Sequence, residues 1–201
     1  DAAFVQVNTA ATALDSAFGV PLFVSGAVIV AVSLFAVLGG TKRIGQFCAA
    51  IVPPMCGLYM IGCLVVICLN LSNLGSALSM VFRYAFAPAP VIGGFAGSTL
   101  ILTMTKGGAR GIFSNEAGEG TAATVHATAK TDHPIHQGFY GVVEVFIDTI
   151  IICTLTGLAI LCSGAFGATD ANGELLNGVY LTFEAFRSTF GQLGVAVAGI
   201  C

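Results

Sequence analysis

The sequence predicts an all-α membrane protein, and three observations carry that expectation. Charged side chains make up 8% of the 201 residues, seven basic and ten acidic, where a soluble domain carries roughly 25%. Residues 16–41, 44–82, 84–105 and 149–169 hold no Asp, Glu, Lys or Arg, and a helix of about 20 mainly apolar residues crosses a hydrocarbon core of roughly 30 Å. Between two of these runs, residues 107–121 crowd five glycines together with two glutamates, the composition of a helix that is interrupted. A soluble enzyme and a disordered tail are both excluded, because so few charges cannot solvate the surface of either.

Each element follows in order. Residues 1–20 are mildly polar, with Gln6, Asn8 and Asp15. Pro21 stands at a favoured helix start and opens a first crossing over about 21–39. A second, about 46–69, contains Pro53-Pro54, which remove two backbone donors and bend the helix. Residues 70–90 are too polar and too short to span, and read as an interfacial helix and loop. A third run, about 91–130, is broken near 107–121; a fourth crossing covers about 138–162. A polar loop (163–178) and a short amphipathic piece around Tyr180–Phe190 lead to a further crossing that begins near 193. Lys42, Arg43 and Lys130 place 40–46 and 130–137 on the cytoplasmic side. The chain lacks an initiator Met and stops inside an apolar run, so it reads as an internal fragment of a longer protein, whose remainder it needs as a partner.

Several features carry no chemistry of their own. The net charge of −3 comes without a basic run, so nothing points to nucleic acid. The seven cysteines form no C-x-x-C pair and six of them sit in apolar stretches, where free Cys packs as a small hydrophobe. His126, His133 and His136 match no zinc spacing. The last two flank Pro134 and read as a solvated helix start.

The break is where chemistry concentrates. Glycine costs about 1 kcal/mol against Ala inside a helix, so 107–121 is where the backbone unwinds. Unwound backbone persists in hydrocarbon only when it is buried in protein or lines a wet cavity. Broken helices of this kind form the substrate sites of secondary transporters, with free N–H groups facing an anion and free carbonyls facing a cation. Glu116 and Glu119 in mid-membrane point to function. An ordinary loop between two helices, with its glutamates in water, is the other reading of the same pattern.

Three runs carry a resemblance: Arg110-Gly-Ile-Phe-Ser-Asn-Glu-Ala-Gly-Glu-Gly120, Lys130-Thr-Asp-His-Pro134 with Gln137-Gly138, and Glu144-Val-Phe-Ile-Asp-Thr149. Together they resemble the sodium:alanine (alanine/glycine:cation) symporter family, over essentially the whole chain. The resemblance implies a LeuT-type inverted-repeat transporter, of which this chain supplies the end of the first repeat and part of the second. Its broken helix is then one of the two that hold the substrate. By position, Glu116, Gly118, Glu119, Gly120 and Thr121 contact the amino acid: Glu116 accepts from its ammonium, and the N–H groups around Gly118–Thr121 receive its carboxylate. Position 119 is more often apolar in the family, so an acid there narrows or polarises the pocket.

The implied activity is sodium-coupled symport of a small neutral amino acid, alanine or glycine, by alternating access in the plasma membrane of a prokaryotic cell. Sodium is the coupling ion; no other cofactor and no covalent chemistry are expected, so the protein is not an enzyme. Hard cations take oxygen ligands, which makes Asp148 and Thr149, with Ser114 or Asn115, the candidate sodium oxygens. Asp148 paired with Lys106 or Arg110 is the structural alternative. Among rivals, a proton-coupled carrier would use Glu119 or Asp148. An intramembrane hydrolase would need a paired catalytic constellation that the sequence lacks, and a purely structural subunit has no use for an acidic, glycine-rich break.

Overall fold

The computed structural model describes residues 2–86, 104–105, 107–109, 111–112, 118, 120–169, 173 and 175–200. Among these the regular structure is helical, and the one extended pairing is an isolated antiparallel bridge between Thr169 and Leu175. The helices are α1 (Ala2–Phe18), α2 (Leu22–Val37), α3 (Gly40–Leu69), α4 (Leu74–Phe86), α5 (Thr121–His126), α6 (Pro134–Val145), a π turn (Phe146–Ile152), α7 (Cys153–Ser163), α8 (Val179–Phe190) and α9 (Gln192–Ile200).

Among the described residues, two apolar helical stretches are long enough to cross a bilayer. Lys42–Leu69 has 28 residues and Pro134–Ser163 has 30, with mean hydropathy 2.2 and 2.3 over their most apolar 18-residue windows. At a rise of 1.5 Å per residue they reach about 42 and 45 Å, beyond a core of roughly 30 Å. Only 17% and 11% of their most apolar windows are buried within the chain. A core helix of a soluble protein would be mostly covered, so these surfaces are made for lipid or for further protein. Helix α3 runs on through Pro53 and Pro54, whose rings free the carbonyls of Ala49 and Ala50 from their usual donors.

The chain divides into two compact units, 1–74 with 155–201, and 75–154. In the first, α1 packs on α2 and α9, α2 on α3, and α3 on α8 and α9. Its core holds Cys63, Val66, Ile67, Ala159 and Phe186, and a second cluster joins Ala13, Ala17, Phe183 and Val195. Small residues bring these helices close. A Cβ on Gly62 would stand 2.6 Å from Phe186 Cε1, so only glycine leaves room for the ring. Polar ties cross the same unit. Tyr59 and Thr156 share a hydroxyl hydrogen bond of 2.8 Å, and Asn73 Nδ2 donates to the Cys162 carbonyl at 3.0 Å. The Arg43 guanidinium lies 3.7 Å above the Phe35 ring, a cation–π contact between α3 and α2. Ser25 Oγ is buried and has no hydrogen-bond partner among the described residues.

The second unit contains α4, α5, α6 and the π turn. Its chain path reverses between α5 and α6 through residues 127–133, and that reversal positions the groups described next.

Candidate functional site

The site begins at the glycine-rich stretch that closes the third apolar run, residues 107–121. Residues 107–109 and 111–112 are helical, the backbone turns at Gly118, and helix α5 begins at Thr121. Gly118 and Gly120 have φ of 90° and 77°, the left-handed region where L side chains are strained by roughly 1–2 kcal/mol. Gly120 is the N-cap of α5. Its carbonyl accepts from the Thr124 amide at 3.1 Å and from Thr124 Oγ1 at 2.9 Å, which closes the first turn of the new helix.

Beyond α5 the reversal is held by local hydrogen bonds. Thr128 Oγ1 donates to the Val125 carbonyl at 2.8 Å, and Thr131 Oγ1 to the His133 carbonyl at 3.0 Å. His133 caps α6, its Nδ1 accepting from the Ile135 amide at 3.3 Å, with Pro134 in the first turn. His126, at the end of α5, is thereby laid against α6. Gln137 Nε2 donates to His126 Nδ1 at 2.6 Å, and His126 Nε2 meets Glu144 Oε2 at 3.1 Å. The ring lies over Gly141, where a Cβ would come within 3.6 Å of Nε2. A cavity of about 450 Å³ opens beside it, bounded by His126, Thr131, Pro134, Gln137 and Gly141 among others. Among the described residues no group of three His, Cys, Asp or Glu side chains converges as a metal centre would require.

Further along, the helix changes its winding. Residues Phe146–Ile152 form a π turn, in which the Cys153 amide bonds to the Asp148 carbonyl five residues back. Asp148 and Thr149 fall inside it and are half-buried, while Phe146, Ile147 and Ile150 stay exposed. Single π turns in otherwise regular helices occur often at functional sites.

Of the residues the sequence singles out, Gly118 and Gly120 lie in the turn of the break, Thr121 opens α5, and Asp148 and Thr149 stand side by side in the π turn. Ser114, Asn115, Glu116 and Glu119 lie outside the described residues, as do Lys106 and Arg110. The His126–Gln137–Glu144 set is absent from the sequence reading. Its one legible trace is that Gln137, Gly141 and Glu144 recur at i, i+4 and i+7, a single helix face.

The profile of the sodium:alanine symporter family matches residues 2–201. An uncharacterized transporter of Bacillus subtilis, YflA, is 40% identical over 190 residues, covering 94% of this chain and 40% of that protein. The sodium/alanine symporter AgcS of Methanococcus maripaludis is 37% identical over 192 residues, 94% of this chain and 41% of its own length. The sodium/proton-dependent alanine carrier protein of Bacillus sp. PS3 is 32% identical over 173 residues, 86% of this chain and 38% of that protein. The chain thus spans about two fifths of the length of these relatives. What they share by name is transport; none is named as an enzyme.

Proposed function

The chain belongs to the sodium:alanine symporter family, a family of transporters rather than enzymes, and from that premise we propose that the full-length protein is a sodium-coupled symporter of small neutral amino acids, alanine or glycine first. It crosses the plasma membrane of a prokaryotic cell several times and works by alternating access in an inverted-repeat fold. The amino acid sits at the break: Glu116 accepts from its ammonium, the amides of Gly118–Thr121 meet its carboxylate, and Glu119 trims the pocket. Sodium is held by side-chain oxygens of Asp148 and Thr149 with Ser114 or Asn115. The observation that carries this reading is the left-handed turn at Gly118 and Gly120 between two helical pieces. Left-handed backbone of this kind does not continue a helical ladder, and hydrocarbon tolerates such an interruption only where it is buried in protein or lines a wet cavity.

The test is uptake of labelled alanine by the full-length protein in proteoliposomes, with and without an inward sodium gradient. Uptake that is indifferent to sodium removes the coupling claim. Glu116→Ala should abolish transport while leaving membrane insertion intact, and near-normal uptake by that variant refutes its role. Competition by glycine, serine and glutamine ranks the substrate class.

A second reading has one observation in its favour. The Bacillus sp. PS3 relative is named as dependent on sodium or protons, and Glu119 or Asp148 offers a carboxylate for the proton. A pH gradient that drives alanine uptake in the absence of sodium would select that reading.

A further inference from the structure

We propose that His126 is a positioning residue: by clasping Gln137 and Glu144 it fixes the short helix α5 against α6, and so holds the backbone of Gly118, Gly120 and Thr121 in its binding geometry. Helix α5 has six residues, far below the length at which an isolated helix is stable. Something outside it must set its direction. The imidazole does so from the end opposite the break.

The contacts specify the ring. Gln137 Nε2 is a donor, so Nδ1, 2.6 Å away, carries the lone pair. The ring proton is then on Nε2, where it donates to Glu144 at 3.1 Å. One neutral tautomer satisfies amide, imidazole and carboxylate together. The ring lies on α6 at Gly141, where even a Cβ would sit in ordinary van der Waals contact with Nε2, at 3.6 Å. The arrangement also accounts for Glu144, a carboxylate within the apolar stretch Pro134–Ser163, where an acid needs a named partner.

The link to binding is leverage along a short rigid rod. Gly120 caps the start of α5 and His126 ends it, so freedom at His126 becomes freedom at the turn. A site that is formed only part of the time binds more weakly by that fraction. This second step rests on the proposed substrate position at Gly118–Thr121; the clasp itself does not.

The experiment therefore has two readouts, on the full-length protein in liposomes, for wild type, His126→Leu, His126→Gln and Glu144→Gln. Hydrogen exchange is followed at Thr124, Ala127, Thr128 and Ala129, whose amides bond within α5 and the turn after it. His126→Leu should raise their exchange roughly ten-fold and Glu144→Gln by less, with His126→Gln, which keeps a donor and an acceptor, restoring most of the protection. In sodium-driven uptake His126→Leu should raise KM for alanine roughly five-fold with the maximal rate per folded carrier within about two-fold, again with partial rescue by Gln. Unchanged exchange in His126→Leu overturns the clasp, as does a Gln variant no better than Leu. Raised exchange with an unchanged KM overturns its reach to the turn. If the wild-type protein moves no amino acid, the transport reading fails, and the exchange series still decides the clasp.

Discussion

Tyr59 and Thr156 stand 97 residues apart in sequence and share a hydroxyl–hydroxyl hydrogen bond of 2.8 Å. The same tyrosine stacks on Phe186 at 5.8 Å between ring centroids, so one side chain ties α3 to both α7 and α8. Side-chain hydrogen bonds between membrane helices are worth about 0.6 kcal/mol on average. Tyr59→Phe should therefore cost about 0.5–1 kcal/mol while keeping the stack. Combined with Thr156→Val it should cost less than the sum of the two single changes, read by reversible unfolding of the detergent-solubilised protein. Strict additivity would mean that the contact carries no energy.

Gly62 tests packing without polarity. Gly62→Ala places a methyl group 2.6 Å from the Phe186 ring, and Phe186 is fully buried. The ring has to leave its stack with Tyr59, at a cost of about 1–3 kcal/mol typical of overpacked cores. Gly57, earlier in the same helix, has nothing within 4 Å of its would-be Cβ, so Gly57→Ala should be neutral or stabilising through better helix propensity. Equal effects at the two positions, measured in the same unfolding assay, would refute the packing account.

At the break the backbone angle is the constraint: among the described residues a Cβ at Gly118 or Gly120 meets nothing within 4 Å. With φ at 77°, Gly120→Ala should be strained by roughly 1–2 kcal/mol and Gly120→Val by more, whereas Gly120→Asn should be the mildest, because Asn enters the left-handed region most readily. Alanine uptake should follow the same order. A ranking by side-chain volume alone, with Asn worse than Ala, would show that space rather than backbone angle governs the position.

The helical class is legible from hydropathy alone, because charge-free stretches of helix length leave few other folds in reach. Glycine and carboxylate are both expensive inside an apolar helix, which is why the sequence points to 107–121, and there Gly118 and Gly120 take left-handed φ. The carboxylates proposed to meet the substrate, Glu116 and Glu119, fall outside the described residues. Two features are barely written in the sequence. The π turn at Phe146–Ile152 is written in residues equally at home in an α-helix, so its extra residue per turn is set by surroundings rather than by propensity. The His126–Glu144 contact spans 18 residues: periodicity puts Gln137, Gly141 and Glu144 on one face of α6, but how the 127–133 turn folds His126 onto that face is not encoded there. The reach of Phe186 to Gly62 is likewise a tertiary fact.

That π turn gives the sodium assignment its sharpest test. A π turn adds a residue to the helical circuit and re-aims the side chains beside it, and here it leaves Asp148 and Thr149 half-buried among exposed neighbours. If both side chains are sodium oxygens, Asp148→Asn removes the only full charge of the pair while keeping an oxygen in place. The half-saturating sodium concentration should then rise about ten-fold, a change of about 1.4 kcal/mol, with KM for alanine at saturating sodium nearly unchanged. Thr149→Val should raise it less and Thr149→Ser should leave it near wild type, because serine retains the hydroxyl. The structural alternative makes the opposite pattern. An Asp148 that only pairs with a neighbouring cation loses stability on conversion to Asn, yet its sodium curve keeps its midpoint and merely shrinks in amplitude as folded carrier is lost. Sodium titrations of uptake, normalised to folded protein, separate a displaced midpoint from a reduced amplitude and so decide between the two.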